Sequence, residues 1–373
     1  MSTIWALIGC VLLGTARADE GAETVEDAVQ LIQQQLPEPI DEAVLYQAAL
    51  VGITSYLNQR SGASIHGVLT EHEHNQIEAW LRGERDGIGA IYQIISGQGV
   101  LLEEIFPGGP AAAAGMETGD LIVAIDDQPF TGLSDALIYE LTSQAAQRPS
   151  ITLDVMRADQ SLSRFEVLRG RYRIEAVSPA AESSCAIELL FFSQGSAARL
   201  TELLQALPED SGLMLDLRDN QGGLLDEALA AASLFLEGGA VITYRRMADG
   251  ADDALVATGS RRWSQPVVVL TNERTAGAAE VFASALQDHR AATLVGTTTA
   301  GQAAEPGYYP LGSGLVLQLA DTSLRSPSGR SWAGTGLIPD IRVEPLQQRL
   351  SLSTPGVPPD IQHDTGMQLI TCR

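Results

Sequence analysis

The chain contains no lysine; all 23 of its basic residues are arginine. Any mechanism that needs a deprotonatable side-chain amine is thereby excluded, because a guanidinium stays protonated in proteins. Positive charge is scarce as a whole. Against 47 acidic residues the formal net charge is −24, which argues against nucleic acid and anionic membrane surfaces as main partners. Cysteine is limited to Cys10, Cys185 and Cys372, with no metal-ligand spacing among them. The stretch "GTTTAGQ" lacks the lysine of a phosphate-binding P-loop. Beyond the N-terminus no run is apolar and long enough to span a bilayer, so no stable membrane insertion is expected.

What is present fits a globular protein of two or three domains: 373 residues, 45% hydrophobic, with 36 glycines and 17 prolines. The opening "MSTIWALIGCVLLGTARADE" has an apolar segment from Ile4 to Leu13, then Ala16-Arg17-Ala18, an A-x-A cleavage pattern. Residues 1–18 are therefore expected to be a signal peptide cleaved after Ala18, with export to the periplasm or cell envelope. Cys10 lies in "LIGC", similar to a lipoprotein box, but the apolar run continues past it. Export leaves Cys185 and Cys372, which could pair in an oxidising compartment or remain as two buried thiols.

Residues 19–84 show helical spacing, divided by Pro37 and Pro39. Thr70 and Glu73 frame a capping box for a further helix whose apolar face holds Ile77, Trp80 and Leu81. Residues 85–170 change to short strands with one helix, "LSDALIYELTSQ". From 171 to 348, apolar strands ("CAIELLFF", "GLMLDLR", "PVVVL", "AATLVG") alternate with amphipathic helices. That alternation predicts a mixed α/β sheet covered by helices. Residues 349–373 are polar and proline-rich, and are expected to be loosely ordered.

Two stretches carry chemistry. In the 85–170 region, "GIGA" (Gly87, Ile88, Gly89, Ala90) precedes "GGPAAAAGMETGDLIVAIDDQPF" and the helix with Leu133, Leu137 and Leu141 on one face. This unit resembles a PDZ domain of the circularly permuted type found in bacterial proteases. The resemblance implies that the Gly87–Ala90 loop receives a peptide's terminal carboxylate while the peptide adds as a β-strand, with Leu133 and Leu137 lining or supporting the groove. In the larger region, "LDLRDNQGG" delivers a buried strand into a turn at Gly222 and Gly223, and "PVVVLTNERTAGAAEVFASALQDH" is a strand-to-helix junction. These stretches, with "GTGLIPDIRVEP", resemble the core of the carboxyl-terminal processing (tail-specific) serine peptidases. That family carries a ClpP/crotonase-like core, a PDZ insert and an N-terminal helical region, so the resemblance covers nearly all of the mature chain. It implies an oxyanion-binding backbone at Gly222 and Gly223.

The chain departs from the family where reactivity is concentrated. The family's nucleophilic serine falls on Gly277 and its lysine base on Gln302, while a supporting glutamine falls on Pro306. Gly277 has nothing to attack with, and an amide does not titrate near neutral pH. Ser284 and His289 share one predicted helix at an awkward offset for a pair, and no base is visible near Thr275. His72 and His74 of "EHEH" lie on different faces of a helix start, a solvated end rather than a metal site. Neither a cofactor nor a metal is predicted.

The expectation from sequence is a non-catalytic, exported homologue of these peptidases. It would bind C-terminal segments of exported proteins through its PDZ unit, or regulate an active protease partner. Two alternatives stand beside it. One is an active serine-type endopeptidase using another nucleophile or a site shared with a partner chain; the other is a structural assembly component.

Overall fold

A computed structural model describes residues 21–38, 40–61, 65–146, 148–157, 159–180, 183–247, 249–345 and 360–372. The expected signal peptide and Cys10 lie outside the described residues. Two compact units emerge, one built from residues up to Thr70 with Pro306–Leu319, the other from Glu71–Glu305 and Ala320–Arg373.

In the first unit, helical residues 21–35 and the helix Glu42–Ser61 precede a three-stranded sheet in which Gly67–Thr70 pairs antiparallel with the strand Leu315–Ala320. The region read from sequence as helical thus also holds a strand. Thr70 ends that strand and directly precedes the helix Glu71–Leu81, which groups with the other unit. The polar "EHEH" segment hides that boundary, because it reads as a helix start whatever precedes it.

The second unit holds both sites. Its PDZ-like part is an antiparallel sheet of Ala90–Ile95, Gly99–Ile105, Leu121–Ile125, Ser150–Met156 and Leu162–Leu168, with the helix Asp135–Ala145. Leu102, Phe130, Ile138 and Leu153 are fully buried at its centre. The larger part is a six-stranded sheet in the order Val177–Pro179, Ala186–Leu189, Leu213–Asp216, Val267–Thr271, Thr293–Gly296, Ile341–Arg342. All neighbours are parallel except the first pair. Parallel strands need crossovers, and the apolar helices Ser196–Ala206, Leu225–Ser233 and Ala278–Asp288 supply them. The 278–288 helix is buried almost all round, with Phe282 between Phe192 and Phe235.

The C-terminal tail is not loose throughout. Residues Ile361–Gln368 form a helix whose Gly366 packs so closely on Met214, Val268 and Leu270 that a Cβ there would meet their side chains at 3.0–3.2 Å. Cys372 is bonded to Cys185. The proline-rich composition of the tail masked a short helix that only the tertiary surface stabilises. A smaller cluster of Tyr172, Ile174, Ala176 and Phe191 with Trp80 and Phe106 joins the PDZ-like part to the larger sheet.

Candidate functional site

The strand Leu213–Asp216 runs into Leu217-Arg218-Asp219-Asn220 and then the glycine turn. Asn220 is fully buried and holds three elements at once. Its Nδ2 donates to Leu189 O (2.8 Å), its Oδ1 accepts from Gly222 N (2.9 Å), and its carbonyl accepts from Ala276 N (2.9 Å). Phe192 N donates to Gly222 O at 2.8 Å. In a trans peptide the N–H points opposite to the carbonyl, so the next N–H, that of Gly223, is turned away from Phe192. Only glycine fits there, since a Cβ on Gly223 would lie 2.3 Å from Phe192 O. Of the two predicted oxyanion glycines, Gly222 has its N–H committed to Asn220, and Gly223 carries the available donor.

The strand Val267–Thr271 leads through Thr275 and Ala276 to Gly277, which caps the 278–288 helix with φ 56° and ψ −120°. Such a backbone is strained for any residue with a Cβ. A nucleophile turn uses this conformation to present a side chain at a helix start. The space is there: a Cβ on Gly277 would meet Gln302 Oε1 at 3.7 Å, Gln221 O at 3.8 Å and Gly222 Cα at 3.9 Å. The structure therefore brings Gly222, Gly277 and Gln302 together, as the sequence placed them. Ala278 is the first helical residue, where an N–H has no intrahelical acceptor. A Cβ on Gly222 would lie 3.0 Å from that nitrogen, so turn and helix start are in contact.

One buried carboxylate binds this arrangement to the 299–302 loop. Glu280, fully buried, accepts from Gly277 N (3.1 Å), Gly301 N (2.8 Å), Gln302 N (2.7 Å) and the Thr299 hydroxyl. Burial pushes its pKa up, and the four donors oppose that rise. Sequence reasoning passed over this residue. Its only local signal was an acidic side chain three residues after a helix cap, one half of a capping box.

The other candidates lie elsewhere or are occupied. The Thr275 hydroxyl is buried and donates to Leu217 O at 2.8 Å. Ser284 donates to Val281 O, and His289 Nε2 meets Val241 O at 2.7 Å, so the two do not meet each other. His72 is bonded to Gln76 on the same helix. Among the described residues no cluster of His, Cys, Asp or Glu could hold a metal, and no helix is long and apolar enough to cross a membrane.

In the PDZ-like part a cavity of about 240 Å³ opens beside the Gly87–Ala90 loop. All four loop residues line it, as do Thr142, Ala145 and Ala146 of the helix. Leu133 and Leu141 pack against the core instead, and Leu137 is 48% exposed. The leucine face points elsewhere because the helix presents its alanine edge to the loop.

The site thus combines a mostly parallel α/β sheet, a glycine turn and a strained helix start with a small antiparallel domain that carries a loop-edged groove. Comparison with known proteins gives the family. Residues 184–343 match peptidase family S41 and residues 103–156 match the PDZ domain, and the chain carries both modules. It is similar to the carboxy-terminal-processing protease of Bartonella bacilliformis, 32% identical over 64% of this chain and 57% of that one. It is also similar to the carboxyl-terminal-processing protease of Synechocystis sp., 28% identical over 82% of this chain and 73% of that one. The chain thus spans a little over half of the first relative's length. Among solved structures, a photosystem II D1 C-terminal processing protease shares the fold with a TM-score of 0.50 at 22% identity, covering 85% of this chain and 86% of that one. An S41 protease from Bacteroides fragilis gives a TM-score of 0.53 at 18% identity, covering 69% and 76%.

These findings overturn the expectation of a non-catalytic chain. The relatives are named as processing proteases, and the matched family is a peptidase family. The physical ground of that expectation was narrower than its conclusion. Losing a hydroxyl at 277 and an amine at 302 removes one mode of attack, whereas backbone polarisation of a carbonyl survives it.

Proposed function

We propose that this chain is a carboxyl-terminal processing peptidase of exported proteins. The PDZ groove takes the free C-terminus, and an upstream peptide bond lies over the Gly223 and Ala278 N–H groups. The retained oxyanion-type backbone carries this reading, because such donors act where charge develops in the transition state. Gly277 and Gln302 supply neither nucleophile nor base, so water is the attacking group, positioned in the space beside Gly277. Its proton passes to solvent, and the C–N bond breaks as solvent returns a proton to the departing amine. An oxyanion hole and substrate binding without the attacking residues still give about 10³–10⁴-fold over the uncatalysed reaction. The proposed turnover is accordingly slow.

Export is supported by the A-x-A pattern at Ala16–Ala18 and by the Cys185–Cys372 bond, which suits an oxidising compartment.

The test incubates the chain for days, in excess over an unstructured peptide, and follows products by mass spectrometry. Cleavage above buffer is expected for the peptide with a free C-terminus, with much less for its C-terminal amide. Product formation equal to buffer alone sinks the proposal.

A further inference from the structure

The helix Ile361–Gln368 is anchored to the large sheet at both ends. At its start one carboxylate serves two partners: Asp360 Oδ1 accepts from His363 N (3.0 Å) as the helix cap, and Oδ2 accepts from Arg218 Nη1 (2.7 Å). Beyond its end Gly212 N donates to Thr371 O (2.8 Å), and Cys372 is bonded to Cys185. Between these anchors the seat is imperfect. An eight-residue helix with Thr365 and Gly366 inside it has little stability of its own. His363 Nε2 is buried without a hydrogen-bond partner among the described residues, a cost that undocking removes.

The sulfurs are set for exchange. Cys185 is fully buried whereas Cys372 is half-buried, so an attacking thiolate meets Cys372 Sγ first. Each sulfur has one hydroxyl at 3.4 Å, Ser183 for Cys185 and Ser184 for Cys372. Bonded sulfurs carry no proton, so the hydroxyls are the donors. The same O–H groups stabilise the thiolates that reduction creates, and a stabilised thiolate leaves faster.

The other anchor leads to the oxyanion turn. Arg218 also pairs with Asp216, its Nε lying 3.0 Å from that carboxylate at the end of the strand Leu213–Asp216. Two residues on is Asn220, whose side chain fixes Gly222 N and whose carbonyl fixes Ala276 N. Undocking the helix takes Asp360 from Arg218 and so loosens the backbone that carries Asn220.

We infer that the Cys185–Cys372 bond is a reducible site whose co-substrate is a dithiol, and that its reduction releases the 361–368 helix and slackens the oxyanion turn. One thiolate of the dithiol attacks Cys372 Sγ, the S–S bond breaks, and Cys185 leaves as a thiolate. The second thiol then displaces Cys372. The chain gains two electrons and the two protons of the dithiol as two thiols, and the reductant becomes a disulfide. The oxidised chain is the competent form. The role of the turn comes from the reading above, but the test follows amide exchange, so an absence of hydrolysis would sink that reading alone.

Hydrogen exchange by mass spectrometry tests it on the full chain, with and without dithiothreitol, while alkylation of Cys185 and Cys372 reports reduction. Reduction should lower protection about tenfold or more in 361–372 and about threefold or more in 217–224, and leave 150–168 of the PDZ-like part unchanged. Cys185→Ser with Cys372→Ser should show the reduced pattern without dithiothreitol. Asp360→Asn should loosen 217–224 with the bond still closed; no change there would overturn the coupling. The inference also falls if the bond survives dithiothreitol in the folded chain, or if 361–372 opens while 217–224 keeps its protection. An equal loss over 150–168 would mark general destabilisation and overturn it as well.

Discussion

In the PDZ-like groove the backbone N–H groups of Ile88 and Gly89 donate to no acceptor among the described residues and stand above an aliphatic cavity. In the S41 groove the backbone contribution is equally complete: the Gly223 N–H is turned outward, Ala278 starts the helix, and Glu280 locks the 277 turn to the 299–302 loop. The two differ in what side chains add. The first is lined by Arg85 and Arg169, whereas the second presents Gly277 and Gln302 where attack and proton transfer would be expected. Functions carried by backbone geometry and functions carried by side-chain identity can therefore separate within one chain. A scaffold can be intact while its chemistry is slow.

The sharpest way to break that comparison is to restore the missing side chains. The double substitution Gly277→Ser with Gln302→Lys should raise kcat/KM for peptide cleavage by about 10²–10⁴, and each single change should achieve far less, because nucleophile and base act as a unit. The clearance of 3.7–3.9 Å around a Cβ at 277 admits the serine. No gain in the double variant would show that the frame is not catalytically competent.

Next in size is the frame itself. Glu280→Ala leaves the Gly277, Gly301 and Gln302 N–H groups and the Thr299 hydroxyl without their buried acceptor. Urea unfolding should register a loss of about 3–5 kcal/mol, in the range of broken buried networks. A loss below about 1 kcal/mol, the worth of a single ordinary hydrogen bond, would mean that the two loops do not depend on this carboxylate. Removing the Cys185–Cys372 bond by Cys185→Ala with Cys372→Ala should cost about 2–4 kcal/mol and leave peptide binding intact, since neither cysteine lines the PDZ cavity.

The smallest effect is a matter of pH. Burial tends to raise the Asp288 pKa, but the Ser326 and Ser328 hydroxyls, Ser328 N (2.9 Å) and Arg330 bring it down to about 2. A depressed carboxylate stabilises above its unfolded value of about 3.9 and loses that stabilisation as pH falls through the folded one. Asp288→Asn should therefore be less stable than wild type at pH 6, with the difference closing between about pH 4 and pH 2. A difference independent of pH would refute the ionised role.

Much of this molecule was legible in its sequence. Four runs of apolar residues became the inner strands of the large sheet, and the glycines of "LDLRDNQGG" marked a turn that a Cβ on Gly223 would destroy. Gly277 and Gln302 were correctly expected to lie together. What stayed hidden depends on tertiary context. The helix Ile361–Gln368 has no strong pattern of its own and exists by packing on Met214, Val268 and Leu270. Glu280 looked like an ordinary helix-start acid until burial gave it four donors. Arg171 and Arg173 face Glu84 and Asp86 across the ribbon, a pairing that no local stretch reveals. The functional expectation failed for a related reason: residue identities at two positions were allowed to stand for the whole reaction.

The central claim is that the chain as it exists hydrolyses peptides at this frame. Native chain and the Gly277→Ser, Gln302→Lys variant should be given the same free-C-terminus peptide side by side, with products identified by mass spectrometry. The account predicts cleavage at the same bond by both, far slower for the native chain yet above buffer. Cleavage by the variant with none by the native chain would contradict it.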